Sequence, residues 1–125
     1  MVIHRGRDPE TGRLTSPISL EEWKQAIQGL PSVRLCMGDI RVENPRSGEV
    51  VTMKNLGGDA EYHSNALGGW QRAFQWSPSG QVHLNVGAFL NRKAQIDISI
   101  PQEIARRLGA KIYEEGDAVV EGDLV

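Results

Sequence analysis

The sequence predicts an α+β domain: one mostly antiparallel sheet with two helices packed on one of its faces. Three observations predict it. A capped amphipathic segment opens at Ser19, the hydrophobic period then falls to two residues from Val33 to about Ile100, and a second helical segment follows at Pro101. The 125 residues make one domain, 1–125, because a chain of this size buries roughly two-thirds of its unfolded surface.

The head, MVIHRGRDPETGRLTSP (1–17), is polar and rich in turn formers and reads as a short hairpin or an irregular N-terminal arm. In ISLEEWKQAIQGLP, Ser19 is placed to cap a helix, Glu22 completes a capping box three residues on, and Ile18 staples onto Trp23. Leu20, Trp23, Ala26 and Ile27 share its apolar face, and Gly29 and Pro31 end it. VRLCM and DIRVEN read as two strands, or as one interrupted at Gly38, and PRSG turns the chain into EVVTMKN. GGDAEYH and NALGG read as a flexible middle.

Trp70, Arg72, Phe74 and Trp76 then alternate with Gln71, Ala73 and Gln75, SPSG turns the chain, and Val82, Leu84 and Val86 alternate with His83 and Asn85. That pattern is a hairpin with one apolar face. Ile96, Ile98 and Ile100 repeat the alternation. PQEIARRLGA reads as a helix with Pro101 first, Ile104, Ala105 and Leu108 inward and Gly109 as its stop, and KIYEE with AVVEG closes the chain as a strand pair.

Composition limits the function. Cys36 is the only cysteine, so an intramolecular disulfide is excluded and a cysteine zinc site lacks partners; in VRLCM it reads as a packing residue. A reducing cytoplasm is the expected compartment. No apolar run is long enough for a membrane helix, and the start lacks the apolar core of a secretion signal. Charge is uneven: Ile112–Val125 holds five carboxylates, Glu114, Glu115, Asp117, Glu121 and Asp123, with no Lys or Arg. All fourteen basic residues precede it, against the other eleven of sixteen acidic ones. So weak a basic excess argues against nucleic acid as the main ligand.

No stretch spells a reaction centre. His4, His63 and His83 are isolated from one another and from Cys36, so neither a metal nor a cofactor is expected. The paired glycines of NLGGDAEYHSNALGGW match no dinucleotide or phosphate-loop spacing; they read as a mobile segment presenting Tyr62, His63 and Trp70. Alternation places Trp70, Phe74 and Trp76 on one face with Arg72 breaking the stripe. That face is either core or an open patch where Trp, Tyr and Arg anchor a partner.

The reading that gathers most of this is a non-enzymatic protein-binding domain. Its partner surface would be the acidic end, Glu114, Glu115, Asp117, Glu121 and Asp123, with Tyr62, Trp70 and Arg72 as anchors, facing a basic partner. At ISLEEWKQAIQ and IARRLGAKIYEEGD the chain also resembles small bacterial proteins of uncharacterised role, some of them grouped with the immunity proteins of toxin systems. The resemblance implies a cytoplasmic bacterial protein that occludes a toxin domain, and it brings no catalytic or binding residues. Two alternatives stand beside it: a small enzyme or ligand-binding module with a site on an open sheet face near Arg72, His63 and His83, and a homodimer or larger homo-oligomer formed by strand edges.

Overall fold

A computed structural model describes residues 1–114 and, within them, every side chain but those of Ile40, Val42 and Met53. Strand β1 (Val2–His4) leads to helix α1 (Leu20–Ile27), then β2 (Val33–Leu35), β3 (Ile40–Glu43), β4 (Val50–Met53), β5 (Ala60–Ser64), β6 (Gly69–Ser77), β7 (Gln81–Leu84), a 3-10 turn (Val86–Phe89), helix α2 (Ser99–Leu108) and β8 (Lys111–Tyr113). Six strands form an antiparallel sheet in the order β2-β5-β6-β7-β1-β8, and β3 and β4 pair apart from it. The α+β class with one mostly antiparallel sheet and two helices against it is the architecture observed.

Helix α1 begins where its cap dictates. Ser19 Oγ accepts from the Glu22 N–H at 3.1 Å, and the Glu22 carboxylate accepts from the Ser19 N–H at 3.1 Å. Trp23, Ala26 and Ile27 are buried against the sheet. Helix α2 starts two residues before Pro101, since Asp97 accepts from both the N–H and the hydroxyl of Ser99; Pro101 still falls in the first turn, where an N–H has no partner to lose. Gly109 ends it in the left-handed conformation, φ 62°.

Ile3, Val33, Ala60, Phe74, Val82, Leu84 and Ile112 meet Trp23, Ile27, Ile104 and Leu108 in one hydrophobic core. Register explains the choice of face: Val82 pairs with Ile3, and Ile3 with Ile112, so all three point to the helices. Their neighbours His83, Val2 and Tyr113 point the other way.

Three sequence expectations change, and one of two open readings is selected. Val2–His4 is a sheet strand between β7 and β8, with Ile3 and His4 buried, so the polar head contributes to the core; the hairpin reading holds for 7–14, where Arg7 bridges Leu14. GGDAEYH contains strand β5, because Ala60 and Tyr62 find core neighbours that sequence distance hid. Ile96–Ile100 forms no strand beyond one Leu90–Ile96 bridge, since Asp97 and Ser99 divert the chain into α2. VRLCM and DIRVEN are two strands in different sheets. The AVVEG half of the closing strand pair lies outside the described residues.

Candidate functional site

The aromatic stripe on β6 is divided by a bulge. Ala60 pairs with Phe74 and Glu61 with Arg72, so Ala73 is the extra residue that shifts the alternation by one. Phe74 therefore faces the helices, 5.4 Å from Trp23, and Trp76 donates its indole N–H to Ile18 O at 2.9 Å. Trp70 and Arg72 face away from them. The expectation of one shared face for Trp70, Phe74 and Trp76 is thus corrected: the bulge assigns Phe74 and Trp76 to the core and leaves Trp70 and Arg72 on the helix-free face.

Register gathers a polar surface on that face. Arg34, Glu61 and Arg72 lie side by side across β2, β5 and β6, and His63 pairs with Trp70. The Arg34 guanidinium sits 4.0 Å over the Trp70 ring and bonds Glu61 at 3.1 Å, and the His63 ring meets Trp70 edge-on at 5.3 Å.

Beside these residues a pocket of about 210 Å³ opens at the bulge, lined by Asp59, Arg72, Ala73, Gln75, His83 and Asn85 together with Phe74 and Leu84. Small Ala73 leaves the room for it. Arg72 Nη2 donates to Asp59 Oδ2 at 3.1 Å and to Gly38 O at 3.2 Å, and Asn85 Nδ2 donates to Arg72 O at 3.0 Å. The Asp59 side chain is 4% exposed and that of Arg72 30%. Asp59 Oδ1 and Arg72 Nε are buried with no hydrogen-bond partner among the described residues, so this ion pair makes one bond where two are available.

Asn55 holds the loops that carry the pair. Its side chain donates to Cys36 O and Gly38 O and accepts from the N–H groups of Gly57 and Asp59, while its own N–H is held by Asp39. The base of the β3–β4 hairpin and the turn into β5 are thereby stitched together. Burial pushes the Cys36 thiol up, consistent with a packing role. Burial also lowers the His83 pKa, with a smaller contribution from the amino terminus, so its ring is neutral at pH 7.

Other concavities offer less. The groove between α1 and β2 is larger, about 550 Å³, but its polar lining of Glu21, Lys24, Gln25 and Gln28 belongs to side chains with no buried polar group among them. Tyr62 lies on the core side, its ring 4.8 Å from Phe89, where burial and then Asp97 raise its pKa; it does not join Trp70 and Arg72. Among the acidic candidates Glu114 is exposed, and Glu115, Asp117, Glu121 and Asp123 lie outside the described residues.

Sequence reasoning found Trp70, Arg72 and His83 and missed Asp59, Asn55 and Asn85. Only the strand register brings Asp59 to Arg72, thirteen residues apart, and no local pattern announces it. Among the described residues no cluster of three or more His, Cys, Asp or Glu is placed to hold a metal, and no helix is long and apolar enough to cross a membrane. Comparison with family models, curated proteins and solved structures finds no match to this chain.

Proposed function

We propose that this protein is a binding domain that recognises a partner protein through the helix-free face of its sheet, with Arg72 as the central anchor. One observation carries the reading: a buried carboxylate, Asp59, holds a half-exposed guanidinium at the mouth of a pocket sized for a single side chain. Burying a charge is costly unless it is paired, and this pair contributes no packing that an apolar couple would not supply better. Its use is to fix Arg72 in place on an open face.

Exposed apolar residues occur on the chain either side of Gly38 and on β4. Leu35, Met37, Val50, Val51 and Leu56 are exposed, Met37 at 94%; Met37 directly precedes Gly38, whose carbonyl accepts from Arg72, Leu35 lines the groove between α1 and β2, and Val50 and Val51 begin β4. A protein partner covering the pocket and Met37 would remove that side chain from water; a small ligand would leave it wet. Occlusion of a toxin domain is the finer form of this reading, with the acidic stretch from Glu114 onward adding steering toward a basic partner.

Capture of the tagged chain's partner from its source cells tests the proposal, at low salt and at about 0.5 M salt. A single stoichiometric protein retained by the wild type and by Lys93→Gln, and lost from Arg72→Ala and from Met37→Lys, is the expected result. Equal capture by all four chains would overturn it.

A further inference from the structure

The pocket's chemistry narrows what it takes. Asp59 and Arg72 both line the pocket, and with side chains 4% and 30% exposed the cation is the more accessible of the two. The guanidinium's bonds to Asp59 and Gly38 both leave from Nη2, and Nη1, with its two N–H groups, has no acceptor among the described residues. Around it stand further donors: the Gln75 amide, without a hydrogen bond among the described residues, and the His83 ring, whose Nε2 is only 3.4 Å from the Gln81 amide. Asn85 is committed to Arg72 O and shapes the wall.

We propose that this pocket is a carboxylate-binding site, filled by an acidic side chain or a chain-terminal carboxylate of the partner. The inference rests on the reading of the helix-free face as the recognition surface and gives it a chemical class. A carboxylate accepts from Nη1 in a charge-assisted hydrogen bond, roughly twice as strong as one to a neutral acceptor, while Nη2 stays with Asp59 and Gly38. A cation is disfavoured because the guanidinium is the more exposed of the two charges. Asp59 already neutralises the one guanidinium at the site, so a bound monoanion leaves one net negative charge and a dianion such as phosphate leaves two, which disfavours the dianion more. The volume agrees: about 210 Å³ accommodates a carboxylate and two or three methylenes and falls below the roughly 300 Å³ at which sites for larger ligands begin.

The test is a titration of the full chain followed by proton–nitrogen NMR at constant ionic strength. The probes are acetate, N-acetylglutamate α-amide for an acidic side chain, N-acetylglycine for a chain terminus, inorganic phosphate and guanidinium chloride. Saturable shifts at the Arg72 side-chain Nε–H, the Gln75 and Asn85 amides and His83 are expected with carboxylates alone, and the stronger of the two acetylated probes identifies the source. Arg72→Gln should weaken binding at least tenfold, Arg72→Lys should restore part of it, and Lys93→Gln should leave it unchanged. Phosphate or guanidinium binding more tightly than every carboxylate, or no saturable response, would overturn the inference. Arg72-dependent capture of a partner without a carboxylate response sinks the carboxylate and leaves the surface; a carboxylate response without Arg72-dependent capture does the reverse.

Discussion

The indole N–H of Trp23 donates to Gly58 O at 2.7 Å, which fixes the backbone that carries Asp59 directly to the buried face of α1. A Cβ on Gly58 would stand 2.5 Å from Trp76 Cβ and 3.2 Å from Trp23 Cδ1, so no larger residue fits without moving the helix or the sheet. Gly58→Ala is therefore expected to lower stability by about 1–3 kcal/mol, the usual range for overpacking, read as a lower urea midpoint at unchanged slope. It should also displace the Asp59 and Arg72 resonances, because the strain falls on the turn that places them.

Arg5 joins three elements of the fold. Its Nε donates to Leu108 O at 2.7 Å, at the end of α2, and its Nη2 pairs with Glu22 at the start of α1. The bond from Arg5 is the main cause that holds the Glu22 carboxyl at about 2, followed by the Ser19 N–H. A carboxyl depressed on folding adds stability that is complete above its unfolded value near 4.5 and is lost as pH falls through the folded one. The stability gap between wild type and Glu22→Gln should accordingly be open at pH 7 and close between about pH 4.5 and 2. A gap constant down to pH 2 would show that the helix cap, and not the charge, sets the difference.

The Asp59–Arg72 pair makes a single bond, and its coupling should reflect that. Asp59→Ala leaves Arg72 with only Gly38 O and is expected to cost about 1–3 kcal/mol, below the figure for a fully buried pair because Arg72 is partly solvated. A double-mutant cycle with Arg72→Ala should return a coupling of about 1–2 kcal/mol. A coupling near zero would mean that Asp59 does not hold the guanidinium, and the anchor would lose its support.

The contrast between fold and site shows which physics a sequence exposes. Capping at Ser19 and Glu22, the apolar face of α1 and the stop at Gly109 are local, and each reads directly from residue spacing. The site depends on register. One bulge at Ala73 reverses the facing of everything after it on β6, and a period of two has no means of showing where an extra residue enters. Arg72 was legible because it interrupts an apolar stripe. Asp59 and Asn55 were not, because an acid and an amide in a glycine-rich loop look like turn residues until the partner strand is placed beside them.

His83 makes the pocket sensitive to pH. Its ring lies with Gln75 on the neighbouring strand, Val2 on the other side, Gln81 along its own strand, and Arg72 and Asp59 across the pocket. Partial burial, and then the positive amino terminus, hold its pKa below 6.5, so the empty pocket contains a neutral imidazole at pH 7 and the fold loses stability as pH drops below that value. A carboxylate seated against Arg72 places a negative charge in the same pocket and favours the imidazolium, so binding takes up a proton. Acetate affinity is thus expected to rise as pH is lowered from about 7.5 to 5.5, by roughly fivefold for a coupling of about 1 kcal/mol, and to fall again once acetate itself is protonated. His83→Gln should flatten the rise and leave the fall. A flat profile in the wild type would place His83 outside the reach of the bound anion and confine recognition to Arg72.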